Sequence, residues 1–275
     1  MKIVQVLVIL AGAPLLQGAL ALLRARLSGR PGPSLLQPYR EFAKFMGKRA
    51  RAGRPHAVIG FAASGFALGT SIAILLLLPN LFDAARPDAA FDVIAIVLFF
   101  ALGRAATVLA ALDTGSSFSA MAVGREIAFA AIIEAPFLLA LLAARSVPAS
   151  ALLAGSALFI VLLFESARVP VDNQETHYEL TMIHEGMLLE YAGPIFAAWQ
   201  YSAQLRQAAM VVLVAYVLSG GGISPALASI FVVAALPVVE AFQAKMRVFD
   251  VPQLATAATL LAVAALGIDT LGGLR

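Results

Sequence analysis

Six of the sixteen carboxylates of this chain lie in one stretch, residues 165–191, although the chain as a whole is overwhelmingly apolar. The stretch contains carboxylates, one arginine and two histidines: Glu165, Arg168, Asp172, Glu175, His177, Glu179, His184, Glu185 and Glu190. Carboxylates and imidazoles are side chains that hold and transfer protons. In an apolar protein, such a stretch is expected to meet a partner, a substrate or a proton.

The spacing within this stretch excludes several kinds of catalytic site. His177 and His184 are seven residues apart, and His184-Glu185 lacks the second histidine of the His-Glu-x-x-His metal motif. No Ser-His-Asp order, phosphate-binding loop or dinucleotide fingerprint occurs. We therefore expect no catalytic residue and no metal ligand in this chain.

Composition indicates a membrane protein. Of the 275 residues, 61% are hydrophobic and 13% are charged, whereas soluble domains carry roughly 25% charged residues. Long apolar runs are typical of membrane-spanning helices. We predict an all-α integral membrane protein with a single membrane domain over 1–275. About eight spans are expected: 3–23, 57–78, 91–112, 127–144, 147–164, 194–218, 223–239 and 252–268.

The chain has no cysteine. Disulfides, thiolate chemistry and cysteine-ligated iron–sulfur clusters are thereby excluded from it. We expect no cofactor in this chain, and any electron-carrying cluster must belong to another subunit.

The distribution of basic residues predicts the orientation. Nine of the nineteen lysines and arginines lie between Arg24 and Arg54, and four of the other six in loops fall in odd-numbered loops. Because cytoplasmic loops are enriched in basic residues, the odd loops are expected in the cytoplasm and both termini on the outer side of the cell inner membrane.

The segment 38–50 is predicted to be a basic amphipathic helix. Pro38 suits the first turn of a helix, and an apolar stripe that includes Tyr39 lies opposite a basic stripe of Arg40, Lys44 and Lys48. Such a helix suits either an anchor in anionic lipid on the inner membrane face or a docking surface for a cytoplasmic partner.

Several charged residues fall inside or beside the predicted spans. Arg104 and Glu134 should lie at equal depth, about 12 Å below the inner surface at 1.5 Å per residue, which predicts an ion pair. Glu126, Glu165 and Glu240 are placed at the cytoplasmic ends of their spans. Such carboxylates can pass protons if water connects them, although a buried structural pair and interfacial glutamates are alternatives. No acidic residue is expected at the depth of Arg206.

The polar stretch leaves the fifth span as an extended segment, since the residue before Pro170 avoids helical geometry. A helix is then expected over 175–190. We predict that the stretch docks a soluble module, gates a proton entrance, or does both.

The stretch from Glu165-x-x-Arg168-x-Pro170-x-Asp172 to Glu190-Tyr191 resembles the signature loop of the complex I subunit 1 family. Pro-Val-Asp-Asn followed by Thr176-His177-Tyr-Glu179-Leu is closest to the branch of formate hydrogenlyase subunit 4 and hydrogenase-4 component C, found in group 4 nickel–iron hydrogenases. Gly32-Pro33 with Gln37-Pro38-Tyr39-Arg40, and Gly124-Arg125-Glu126, are also similar to this family. In complex I the corresponding loop reads Ala-Pro-Phe-Asp-Leu-Pro, so a quinone role transfers less readily.

The resemblance implies a non-catalytic subunit of an oxidoreductase complex. Its expected partners are an iron–sulfur subunit, hydrogenase-like large and small subunits and antiporter-like membrane subunits, with iron–sulfur clusters and possibly nickel–iron in those partners. The implied coupling carboxylates are Glu126, Glu134, Glu165, Asp172, Glu175, Glu179, Glu185 and Glu190. Arg168 is expected to hold the loop against one or more of these eight. The depth argument adds Arg104 and Glu240 to the predicted proton path. The implied docking residues are Arg168, Tyr39, Arg40, Lys44, Lys48, His177 and His184.

Three interpretations of the function remain open from the sequence. The first is a subunit that couples redox chemistry to proton or sodium movement, and the second is a structural anchor without an ion path. The third, a quinone-site subunit, follows from the complex I branch. An independent transporter would favour two related halves with broken helices, and no such symmetry is visible.

Overall fold

The structure, a computed structural model, describes residues 2–50, 58–80, 90–143, 147–172, 183–220 and 223–272. Within these ranges the chain forms eight long α-helices and one short amphipathic helix. They are α1 (Lys2–Leu27), α2 (Gln37–Met46), α3 (Val58–Leu77), α4 (Ala90–Asp113), α5 (Ser117–Leu142), α6 (Pro148–Glu165), α7 (Pro194–Ser219), α8 (Pro225–Phe242) and α9 (Val251–Gly272). The prediction of an all-α membrane protein is confirmed.

Seven of the long helices are apolar enough to cross a membrane. The exception is α5, because every 18-residue window of it contains Arg125, Glu126 and Glu134. At 26 residues α5 is nevertheless long enough to cross, since a span needs about 20 residues.

The predicted start of the fourth span at residue 127 is wrong. Arg125 and Glu126 suggested a loop, but α5 begins ten residues earlier, at Ser117. The two charges are tolerated within the helix because Glu126 is buried against Arg104. Glu126 is therefore level with Arg104, and Glu134 lies about two turns further along α5.

Helix α7 is the centre of the bundle and packs against α1, α3, α6 and α8. Most of its residues are buried, including the polar Gln204, Arg206 and Gln207. Helix α9 returns to pack against α5 and α6. In contrast, α8 and α9 leave wide faces exposed, as helices do that meet lipid or other subunits.

The predicted amphipathic helix forms, but it ends at Met46 instead of residue 50, and its apolar side packs on protein. Helix α2 begins at Gln37, one residue before Pro38, and lies against α1 and α7. The Phe42 ring lies 5.5 Å from the Tyr201 ring, and the Phe45 ring lies 4.9 Å from that of Phe196, both centroid to centroid. The helix is thus fixed to the end of the bundle instead of lying only on lipid.

The polar stretch departs from the predicted helix. In its described part, the only helical turn is a short 3-10 helix, Glu185–Met187, and the chain re-enters the bundle at Pro194. Residues 173–182 lie outside the described ranges, so the predictions on Glu175, His177 and Glu179 are not addressed by the structure.

Candidate functional site

Arg104 of α4 is surrounded by three carboxylates, which with it form what we call the Arg104 cluster. Its Nε lies 3.1 Å from Oε1 of Glu126, and its Nη1 donates to Oε1 of Glu134 at 2.8 Å. Its Nη2 donates to Oε1 of Glu165. The predicted pair of Arg104 and Glu134 is therefore present, with two further acids that were not predicted as its partners.

The three carboxylates differ in their exposure. The side chains of Glu126 and Glu165 are only 6% and 4% exposed, whereas that of Glu134 is 44% exposed. The alternative that Glu126 and Glu240 are interfacial glutamates in contact with solvent does not hold, since both are buried and paired with arginine. Burial without compensating charge is costly for a carboxylate, and the guanidinium groups supply that charge.

A second buried guanidinium, that of Arg206 on α7, adjoins this cluster. It interacts electrostatically with Glu126 and Arg104, so the expectation that it lacks an acid nearby is wrong. Gly103 permits this approach, since a Cβ there would lie 3.3 Å from the Arg206 Nη1 atom.

The polar stretch reaches the Arg104 cluster through His184. Nδ1 of His184 lies 3.5 Å from Oε2 of Glu126 and makes no hydrogen bond. Ser119 of α5 donates to the backbone oxygen of Gly186 at 3.4 Å, which holds this turn against α5. A void of about 10 Å³ lies between Arg104, Glu165 and His184, about the space that one water molecule needs.

Arg168 forms a separate buried set of contacts at the end of α6. Its Nη1 donates to Oε1 of Glu240 on α8 at 2.6 Å, and its Nη2 donates to the side-chain amide oxygen of Gln17 on α1 at 2.8 Å. The side chain of Gln207 on α7 adjoins the same guanidinium. Arg168 is thus an interior residue that joins four helices, and its carboxylate partner comes from outside the polar stretch.

Asp172 fixes the next residues of the polar stretch to the connection between α8 and α9. Its Oδ1 accepts from Nζ of Lys245 at 2.6 Å, and its Oδ2 accepts from the backbone N–H of Ile183 at 3.0 Å. The backbone N–H of Met246 donates to the oxygen of Pro170 at 2.9 Å. These contacts fix both described borders of 173–182.

A cavity of about 350 Å³ lies between the polar stretch, α1, α2 and α7. Its walls include Glu165 and His184, which also border the small void beside Arg104. Trp199 lines it as well, and its buried Nε1–H has no hydrogen-bond partner. A molecule with an apolar body and an oxygen acceptor would suit this lining.

The end of the polar stretch is fixed by Tyr191. Its hydroxyl donates to the backbone oxygen of Ala110 at 2.8 Å. Burial, with a smaller effect from the Asp113 carboxylate, raises the pKa of Tyr191 to about 12. The hydroxyl consequently stays protonated and available as a donor at neutral pH.

The NADH dehydrogenase family matches residues 1–268 of this chain, almost the whole sequence. The chain belongs to the NADH dehydrogenase family. Formate hydrogenlyase subunit 4 of Escherichia coli (strain K12) is 30% identical over 243 residues, which cover 78% of this chain and 75% of that protein. Hydrogenase-4 component C of the same organism is 28% identical over 229 residues, covering 76% and 71%.

The fold of this NADH dehydrogenase family member is also known from a solved structure. A chain of the membrane-bound sulfane sulfur reductase, an archaeal respiratory membrane complex, superimposes with a TM-score of 0.75 at 17% identity. The match covers 98% of this chain and 99% of that one. The predicted family is confirmed, and the chain is a multi-pass membrane subunit of the complex I-like and hydrogenase-type class.

The remaining predicted site residues occupy two places. Arg40 and Lys44 of α2 are exposed, as is Lys48 two residues after its end, while the Tyr39 hydroxyl donates to the backbone oxygen of Ala11. Glu185 lines the cavity, and Glu190 lies half-buried before α7. Among the described residues, no group of three or more His, Asp or Glu side chains could hold a metal ion.

Several polar residues of the site were not predicted. Gln17 and Gln207 contact Arg168, Lys245 binds Asp172, and Trp199 lines the cavity. The glutamines carried a usable signal, because a polar amide within an apolar span needs a hydrogen-bond partner. Lys245 carried none, since it lies in a short loop that also contains Arg247.

Proposed function

We propose that this chain is the membrane-anchor and coupling subunit of a hydrogenase-type or complex I-like redox complex in the cell inner membrane. It docks a cytoplasmic electron-transfer arm and links the redox chemistry of that arm to proton or sodium translocation. The observation that carries the proposal is the Arg104 cluster, because three carboxylates compete for one guanidinium inside a membrane protein.

The composition of the cluster supports a role in moving charge. A carboxylate beside a guanidinium stays ionised, whereas a desolvated carboxylate without such a partner takes up a proton. With all three glutamates ionised, they and the two arginines would leave one negative charge in excess in this group. In the proposed mechanism one proton neutralises that excess, and a small displacement of Arg104 changes which glutamate holds it.

The polar stretch supplies a physical connection to the docked arm. His184 is adjacent to Glu126, and Glu165 ends α6 where the stretch begins. A redox change in the arm would move the polar stretch or change the electric field that it produces. The altered position of His184 would then change how strongly the charge on Glu126 is stabilised. In this mechanism, charge then passes from the cavity side through Glu165 and Arg104 towards Glu134.

The docking half of the proposal rests on the surface around α2. Arg40 and Lys44 are exposed on a helix that is fixed to the bundle, and the exposed Lys48 follows this helix by two residues. A fixed basic row suits an acidic surface on a soluble iron–sulfur or hydrogenase-like subunit. Reversing all three charges should release the soluble arm from the membrane part during purification.

The decisive experiment is Glu134→Gln in the intact complex. We expect the subunit composition to be unchanged and redox-driven ion pumping in proteoliposomes to be lost, because the amide keeps a hydrogen-bond acceptor but cannot ionise. Asp269→Asn, near the end of α9, is the matched control and should pump normally. Normal pumping by an assembled Glu134→Gln complex would contradict the proposal.

The structural-anchor alternative makes the opposite prediction for Glu134→Gln. If the Arg104 cluster only stabilises the fold, this variant should assemble and pump normally, since Arg104 keeps the buried Glu126 and Glu165 as its partners. Under the coupling proposal, the same variant assembles and does not pump. The pumping rate of the assembled variant therefore separates the two roles.

The cavity favours a second candidate, a quinone-binding subunit. Its volume of about 350 Å³ and the free Nε1–H of Trp199 suit a molecule with an apolar body and an oxygen acceptor. A photoreactive quinone should then label peptides of α1 or α7, and excess unlabelled quinone should compete. If excess unlabelled quinone does not reduce the labelling, the cavity does not bind quinone and this second candidate is wrong.

A further inference from the structure

Arg206 is the least well paired of the three guanidiniums that are buried in the described part of the chain. Arg104 contacts three carboxylates, and Arg168 binds Glu240. Arg206 is only 8% exposed, yet among the described residues it forms no close ion pair and donates no hydrogen bond. A guanidinium has five N–H donors, and buried charges in proteins are normally paired. A partner for Arg206 is therefore expected from outside the described chain.

The side chain of Arg206 borders the cavity of about 350 Å³ between the polar stretch, α1, α2 and α7. It lies twelve residues after the start of α7 at Pro194, about 18 Å along the helix. Gln204 borders the same cavity, is 9% exposed, and makes no hydrogen bond through its amide within the described ranges. The cavity thus has a cation and an amide in its wall that both lack partners, and it has room for a small ligand group beside them.

The acidic residues of the cavity wall do not neutralise Arg206. Glu165 accepts a hydrogen bond from Arg104, and Glu41 accepts one from the amide of Gln37 at 3.0 Å. Glu185, the third acid of the wall, likewise has a partner other than Arg206. The counter-charge of this guanidinium is consequently not supplied by the carboxylates that surround the cavity.

Electrostatics favours a negatively charged occupant on the cavity side of Arg206. The guanidiniums of Arg206 and Arg104 repel each other, and an anion beside Arg206 offsets that repulsion. The ionised glutamates of the Arg104 cluster oppose the anion, but none of them contacts Arg206 closely. Because Coulomb energy falls with distance, an anion in hydrogen-bond contact with Arg206 gains most from this nearest charge.

We infer that the cavity binds an oxyanion through the guanidinium of Arg206, with the amide of Gln204 beside it. A planar guanidinium matches two oxygens of a phosphate or carboxylate group. The oxyanion belongs either to the head group of an anionic lipid or to a free small ion. The inference goes beyond the proposed function, because it requires neither ion pumping nor quinone binding.

Three variants separate the charge of Arg206 from other effects. Arg206→Gln removes the charge, and Arg206→Lys keeps the charge without the planar pair of donors. Arg206→Gln should fold, because it removes a buried charge that has no close counter-charge. Arg26→Gln, at an exposed position of α1, removes one positive charge away from the cavity and is the matched control.

The first experiment tests a lipid as the source of the oxyanion. The intact complex is placed in nanodiscs that contain phosphatidylglycerol with a diazirine next to the head group, and labelled peptides are mapped by mass spectrometry. Most of α7 is buried within the bundle, so labelling of α7 reports on the cavity. If lipid is the source, labelling should fall on the order of tenfold in Arg206→Gln, since the loss removes a charged hydrogen bond. Arg206→Lys should keep part of the labelling, and Arg26→Gln should keep all of it.

The second experiment tests a free ion as the source. The binding of radiolabelled inorganic phosphate to the detergent-purified complex is measured by equilibrium dialysis, without added anionic lipid. If a free ion is the source, Arg206→Gln should bind phosphate at this site on the order of tenfold more weakly than the wild type. Arg26→Gln should bind as the wild type does.

The outcomes are distinct. A signal that depends on Arg206 in either experiment supports the inference, and the experiment in which it occurs identifies the source. Equal signals for the wild type and Arg206→Gln in both experiments would overturn the inference. The same holds if diacylglycerol with the same diazirine, which has no phosphate, labels α7 as strongly as phosphatidylglycerol. Because neither experiment measures pumping, its failure is distinct from a failure of the Glu134→Gln experiment.

Discussion

The two arginines at the centre of this chain differ in how completely their partners match them. Arg168 has one carboxylate, Glu240, and two amide side chains around it. Arg104 instead is shared by three carboxylates. A matched buried pair favours one arrangement, whereas an oversubscribed guanidinium permits several. We therefore assign Arg168 to holding the fold and Arg104 to the movement of charge.

This assignment predicts a loss of stability when Glu240 is removed. Glu240→Ala leaves the Arg168 guanidinium buried without its counter-charge, which costs about 3–5 kcal/mol. We expect a clearly lower midpoint of thermal unfolding for the purified complex in mild detergent. The unfolding midpoint of Glu240→Gln should fall less, because the amide oxygen still accepts a hydrogen bond from Arg168. Equal midpoints for wild type and Glu240→Ala would show that the pair does not hold the fold.

At the scale of elements, the approach of α1 to the segment before α2 depends on Gly18. A Cβ at this position would overlap the backbone oxygen of Leu35. Because Leu35 lies just before α2, a side chain at Gly18 would push the start of α2 away from α1. Gly18 also lines the cavity. The absence of a side chain at Gly18 is thus required by the packing of α2 on α1.

Gly18→Ala should therefore destabilise the protein and displace α2. Overpacking of this kind costs about 1–3 kcal/mol, and we expect a lower unfolding midpoint together with faster proteolysis between α1 and α2. Gly12→Ala in the same helix is the control, because a Cβ there meets nothing within 4 Å. The argument fails if Gly18→Ala is as stable as Gly12→Ala.

Hydropathy predicted the helices well because each long apolar run has one favourable structure in a membrane. The hydropathy pattern misplaced the start of α5, because the charges of Arg125 and Glu126 suggested a loop. Whether a charge lies in a loop or a helix depends on its partner, and Arg104 is distant in sequence. The prediction of a helix in the polar stretch failed for a related reason. The short turn at Glu185–Met187 is fixed by contacts with α5, which lies far away in the sequence.

The site could be predicted only in part. Equal depth suggested Arg104 and Glu134, and the pair exists although Glu134 lies further along its helix than assumed. The Arg168 partner Glu240 is 72 residues away in sequence, and helix packing alone decides that contact. The cavity also could not be predicted from the sequence, because it results from the position of α2 on the bundle.

At the scale of the whole molecule, the contacts place three connections on the same side of the bundle. Arg24 near the end of α1 lies 3.7 Å from Glu240 near the end of α8, and Arg168 after α6 binds the same carboxylate. The side that carries these contacts also carries α2 with its basic residues. The relative positions of these connections therefore agree with the predicted arrangement of the loops, and the positive-inside rule predicts that this side faces the cytoplasm.

Single cysteines test this orientation, because the chain has none of its own. Ser28→Cys follows α1 on the basic side, and Ser224→Cys precedes α8 at the opposite end of the bundle; both positions are exposed. With a membrane-impermeant maleimide applied to right-side-out vesicles, we expect Ser224→Cys to react at once. Ser28→Cys should react only after permeabilisation, since about nine basic residues hold its loop in the cytoplasm. The reverse pattern would place the α2 surface outside, where it could not dock a cytoplasmic arm.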